Sequence, residues 1–120
     1  MSEDRLARGV ELFNEGSYWE AHEAWEEEWT PDRHGPDRGF LKGLIQVAAG
    51  CLHATRGNRR GTVNKWRSGL AYLQPYLPVH RGLELGELST AIAAQLALVE
   101  GSPDAWPAIS LPVITTAAQE

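Results

Sequence analysis

The chain has 120 residues, 42% hydrophobic and 22% charged, with a net charge of −5 and one cysteine. That length and mix describe a single globular domain, and the lone cysteine excludes a disulfide framework within the chain. An acidic total without any aromatic-and-basic recognition motif also argues against nucleic acid as the partner.

A first helix is predicted from about Glu3 to Glu15, because Leu6, Val10 and Phe13 recur at helical spacing, with Ser2 as its cap. Asn14-Glu15-Gly16 then turns the chain. Gly16 can end one helix in the left-handed conformation, Ser17 can cap the next, and Glu20 completes a capping box. This second helix holds three of the five tryptophans and ends at Thr30-Pro31. A loop from Asp32 to Asp37 leads into a third helix, about Arg38 to Arg56, capped by Asp37. It is apolar over half its circumference and therefore central, with a polar line of Lys42, Gln46 and His53 on its remaining face. Gly43 and Gly50 beside that line would let another helix approach. Gly57-Asn58 repeats the terminator-and-cap punctuation before a fourth helix, about Arg59 to Gln74, with the stripe Val63, Trp66, Leu70 and Leu73. Pro75 and Pro78 end it. A fifth helix, about Leu85 to Val99, carries Leu85, Leu88, Ile92, Leu96 and Val99. After Gly101 a proline-rich tail, residues 101–120, should pack as an irregular strap and then fray.

No period-two run appears, so the expected fold is all-α: one domain over residues 1–120, built of two stacked hairpins (3–31 and 38–75), a fifth helix and the strap. A shift of 41 residues superposes Gly9 on Gly50, Gly16 on Gly57, Ser17 on Asn58 and Trp25 on Trp66. Each hairpin thus sets a tryptophan nine residues after its turn glycine, as two copies of one unit would.

The charges are segregated along the chain. Residues 1–32 carry ten acids and two bases (net −8), residues 33–81 nine bases and one acid (net +8), and the remainder five acids and no base. Blocks of that size should attract one another across a folded core, and the cluster Arg56, Arg59, Arg60, Lys65 and Arg67 offers the alternative of meeting phosphate. The acidic start Met1-Ser2-Glu3-Asp4 is unlike a signal peptide, no apolar run reaches membrane-spanning length, and lone Cys51 suits a reducing compartment. A cytoplasmic protein is expected.

The chemistry concentrates on the second helix. At about 100° per residue, Tyr18, His22, Trp25 and Trp29 share one stripe, Glu20, Glu23 and Glu27 face away, and Glu26 stands one turn after His22 at the border. A polar pocket is therefore expected between the second and third helices, lined by Tyr18, His22, Glu23, Glu26, Gln46 and His53. It requires His22 and His53 to border one cavity. Its occupant would be a small molecule or a protein partner. The competing reading is a metal-dependent, hydrolase-like enzyme in which His22, Glu26 and His53 hold a divalent zinc, manganese or iron ion and Glu23 is the general base. The H-E-x-x-H zinc-protease pattern fails, because Glu26 stands where its second histidine belongs. The plainest alternative makes His22 a core histidine bonded to a neighbour. Glu28 falls on the packed flank and needs a base, with Arg38 or Arg67 as candidates. Trp19 lies off the stripe, either exposed as a partner contact or covered by the tail. His34 and His80 sit in loops without signal, and Cys51 reads as inert packing. Five tryptophans and a leucine-rich fifth helix leave room for a homodimer. Nucleophilic catalysis finds no G-x-S-x-G and no phosphate loop.

Two resemblances add to this reading. Gly9, Gly16, Tyr18, Ala21 and Trp25 stand where a tetratricopeptide unit places its small and large residues, which implies helix–turn–helix geometry. Glu28 replaces that motif's alanine, Pro31 comes early, and one unit falls short of a solenoid. The run from Phe13 through Glu26, with Lys42-Gly43-Leu44-Ile45-Gln46, His53 and Gly57-Asn58-Arg59-Arg60-Gly61, resembles the domain of unknown function 309 family. That resemblance implies a small prokaryotic all-helical protein and no particular substrate.

Overall fold

The structure, a computed structural model, describes residues 2–32 and 34–117, and of residues 2–4 and 32 the backbone alone. The described residues form α1 (Ser2–Asn14), α2 (Tyr18–Trp29), α3 (Arg38–Thr55), α4 (Arg59–Leu73), a two-stranded hairpin of β1 (Val79–His80) and β2 (Leu83–Glu84), and α5 (Leu85–Glu100). Short 3-10 turns follow α2 at Thr30–Asp32 and α4 at Gln74–Tyr76. Helix α1 packs on α2, α2 on α3, α3 on α4 and α4 on α5. No helix among the described residues is long and apolar enough to cross a membrane.

The helices form where periodicity places them, and one core joins them. Leu6, Phe13, Trp25, Phe40, Leu44, Val47, Trp66, Leu73, Leu88 and Ile92 are all buried. The 41-residue echo is physical. A Cβ at Gly9 would lie 2.1 Å from the Trp25 indole, and one at Gly50 2.2 Å from the Trp66 indole. In each hairpin the first helix has a glycine where the pyrrole edge of the second helix's tryptophan comes against it. Both turn glycines are left-handed, Gly16 at φ +88° and Gly57 at φ +64°. The Trp25 indole N–H donates to the Leu6 carbonyl at 3.2 Å, so the close approach also satisfies a buried donor. Gly43 is covered in the same way by Leu73, at 2.7 Å.

Caps depart from expectation. Asn58 accepts from the Gly61 amide at 3.1 Å, but the Ser17 and Asp37 side chains cap nothing. The Ser2 side chain lies outside the described residues. Asp37 is used elsewhere: its carboxylate takes His80 Nε2 at 2.8 Å and Arg81 at 3.2 Å.

The hairpin is an addition to the expected all-α outline. Its strands have two residues each, too few for an alternation to register. Its loop, Arg81-Gly82, has positive φ at both positions (49° and 79°), as a two-residue type I′ connection demands. The tail then joins it. Leu83 bridges Thr116, the Glu84 amide donates to the Thr115 carbonyl, and Ala117 donates to the Gly82 carbonyl. Asn14 clamps the same stretch, donating to the Ile114 carbonyl at 2.9 Å and accepting its amide at 2.8 Å. The strap is held up to Ala117. Residues 118–120, where fraying was expected, lie outside the described residues.

Arg59 ties α4 to the end of α5. Its guanidinium donates to the carbonyls of Val99, Ser102 and Ala105, satisfying acceptors that a helix C-terminus leaves open.

Candidate functional site: the outer ridge of α2

Helix α2 is packed from two sides, by α1 and by α3, and its buried line is Tyr18, Ala21, Trp25 and Glu28. His22 and Trp29, expected at the centre of the stripe, are half-buried at its edge. Tyr18 meets Phe13 edge-on at 5.2 Å, and burial pushes its hydroxyl up to about 12. It belongs to the core.

The opposite face is open. Trp19, Glu20, Glu23 and Glu27 are exposed, and Trp19 keeps 52% of its surface in solvent, uncovered by the tail. Its ring stacks on the His22 imidazole, with centroids 5.1 Å apart and planes 15° from parallel. The stack hides His22 Nδ1, which finds no hydrogen-bond partner among the described residues. Trp19 and His22 share a concavity of about 310 Å³ with Glu23, Glu26, Glu27 and Thr30. All of these lining residues but Thr30, which opens the following 3-10 turn, come from α2, and three of them are carboxylates. Thr30 holds the end of the ridge by donating to the Glu26 carbonyl at 2.8 Å.

The pocket expected between α2 and α3 is therefore divided. His22, Glu23 and Glu26 do come together, but Tyr18, Gln46 and His53 do not border their concavity. Gln46 is buried within α3, 9% exposed. The His53 ring lies beneath Gly61, which has no Cβ to obstruct it, and its Nδ1 is 3.1 Å from the Asn58 amide nitrogen. It serves the α3–α4 turn. Among the described residues no group of three or more His, Cys, Asp or Glu side chains could hold a metal ion, so the set His22, Glu26 and His53 is not assembled. The reason is angular: α2 presents His22 and Glu26 to one flank, while the packing of α4 on α3 draws His53 into the turn.

Glu28 is a second departure. It is 5% exposed, and its bases are Arg5 and Arg81, each at 3.7 Å, in place of Arg38 or Arg67. Arg67 instead pairs with Glu100 on α5. Arg81 also reaches Asp37, whose other oxygen holds His80, and the His80 ring is flanked by Phe40 at 4.7 Å and Tyr76 at 4.8 Å. His80, set aside as a loop residue, thus fastens the hairpin to the start of α3. Glu28 in a buried line was the one trace of this network in the sequence; its partner Arg81 was hidden because the hairpin was.

Cys51 is fully buried, and burial pushes its thiol up to about 12. It is packing, as expected. The two charge blocks meet less than their size suggested. Among the described residues, the acids of α2 reach the 33–81 block only through Glu28 and Arg81, while Lys42 lies over the Trp29 ring at 5.2 Å.

Residues 6–64, which run from α1 into α4, match the family model described as Domain of unknown function (DUF309). No curated protein matches the chain.

Proposed function

We propose that this chain, which belongs to the DUF309 family through residues 6–64, is a binding module whose α2 ridge receives a cationic group of a partner. What supports the reading is one arrangement: an exposed indole, braced by its stack on His22, beside Glu23, Glu26 and Glu27 in a single concavity. A large apolar side chain left in water forgoes about 1.5–3 kcal/mol of burial, and among the described residues nothing covers the outer half of Trp19. The face of an indole attracts ammonium and guanidinium groups, and neighbouring carboxylates add charge and hydrogen-bond acceptors. An anion would meet three carboxylates and no lysine or arginine among the lining residues. Lysine or arginine side chains of a peptide are the occupants this chemistry favours. No observation favours the metal-dependent enzyme with Glu23 as base.

Calorimetric titration with a capped lysine- and arginine-rich peptide tests this, with an acidic peptide of equal length as control. The basic peptide should bind and the acidic one should not. Trp19→Ala and the double substitution Glu23→Gln, Glu27→Gln should each weaken binding about five- to tenfold, in line with a partly exposed cation–π contact and screened charges. Affinity untouched by Trp19→Ala would refute the assignment.

A further inference from the structure

We propose that the ridge of α2 is filled by α4 of a second copy of this chain, in a two-fold dimer. The inference rests on the cation-binding reading above and names its partner. The 41-residue repeat relates the outer faces of α2 and α4 as it relates their cores. Trp19 corresponds to Arg60, Glu26 to Arg67 and Glu15 to Arg56. Equivalent positions on the two helices, and in the turns that lead into them, thus carry complementary groups: acid and indole on one, guanidinium on the other.

Neither set is used up within the chain. Among the described residues Arg56, Arg60 and Lys65 make no ion pair, and Arg56 and Arg60 are exposed. Arg67 pairs with Glu100 but keeps 66% of its side chain in solvent. On α2, Glu20, Glu23 and Glu26 likewise have no basic partner, and Glu27 has only Arg5 at 3.7 Å, largely exposed itself.

In the proposed arrangement the hairpin repeat sets the two ridges on one side of the molecule. A two-fold axis between them, running along the helices, sets α2 of one copy against α4 of the other and satisfies both pairings at once, the self-complementary condition of an isologous interface. Such an axis leaves the paired helices parallel. Trp19 then approaches Arg60 of the second copy, and Glu26 approaches its Arg67. Exposed ion pairs are individually weak and screened by salt, so the dimer should be weak and salt-sensitive.

Sedimentation velocity with two opposite charge reversals tests the pairing. Wild type should dimerise at about 50 mM salt and dissociate at least tenfold more readily at about 500 mM. Arg56→Glu with Arg60→Glu makes both ridges acidic, and Glu23→Lys with Glu27→Lys makes both basic. Each variant alone should be monomeric, and an equimolar mixture should restore the dimer, because only the heterodimer pairs opposite charges on both sides. Circular dichroism confirms that each is folded, and Trp19→Ala, which alters no charge, should weaken the wild-type dimer if a reversal disturbs folding. A wild-type chain that stays monomeric at low salt, or a folded mixture that fails to pair, overturns the proposal. If the monomer still binds the basic peptide through Trp19, the cation-binding reading stands and only its partner is wrong.

Discussion

At the scale of single residues, two glycines and two tryptophans carry most of the architecture. Gly9 and Gly50 are mid-helix positions, where alanine ordinarily gains about 0.5–1 kcal/mol. Here the added methyl would lie 2.1 Å from the Trp25 ring or 2.2 Å from the Trp66 ring, and neither buried ring has room to yield. Gly9→Ala and Gly50→Ala should therefore each destabilise by about 1–3 kcal/mol, the usual cost of overpacking. Chemical denaturation reads this directly, and a gain in stability from either would show that the rings do not press against the glycines. Among the site residues, Trp19 was legible as an off-stripe aromatic and His22 as a histidine beside a carboxylate. Which way His22 faced was not legible. Residues 18, 21 or 22, 25, and 28 or 29 all fit one helical line, and only the helices packed on both sides of α2 select Ala21 over His22 and Glu28 over Trp29.

At the scale of elements, the five helices were readable because each must bury one stripe, and the stripe Leu85, Leu88, Ile92, Leu96 and Val99 is buried throughout. The hairpin was not readable, since two-residue strands leave no pattern and the Arg81-Gly82 turn is unlike the common Asn-Gly. With it went one of the two partners of Glu28, Arg81, and the purpose of His80. The strap shows how long-range contacts escape a local reading. Asn14, inside the stretch that resembles the family, is a clamp on Ile114, 100 residues away. Asn14→Ala removes both hydrogen bonds and leaves a part-buried amide and carbonyl unpaired, at about 1–3 kcal/mol for the group left unsatisfied. Amide exchange should accelerate across residues 111–117 while α3 and α4 keep their protection. Unchanged exchange in the strap would mean that Leu83 and Glu84 hold it without Asn14.

At the scale of the whole molecule, burial of Tyr18 and Cys51 sets an alkaline limit. Both groups are neutral when protonated, and burial pushes both up to about 12 in the folded chain, from ordinary values of 10.0 and 9.0. The unfolded chain thus loses these protons first. Their contribution is fully present below about pH 9 and declines as pH rises toward about 12. Denaturation midpoints should fall across that window, and Cys51→Ala should make the fall shallower. A profile identical to wild type would mean that the thiol does not ionise on unfolding there.

The segregated charge is the other molecule-wide feature, and in the fold it remains largely unspent: acids on the outside of α2, bases on the outside of α4. The proposed function assigns the acidic end of this divided surface, with its exposed indole, the reception of a partner's cations. The most direct measurement is a proton–nitrogen correlation spectrum of the uniformly labelled chain during titration with the basic peptide. The account predicts that the Trp19 indole N–H and the backbone amides of residues 19–30 shift first and furthest. Shifts that centre on α5 or the strap, with the Trp19 indole unmoved at saturation, would contradict it.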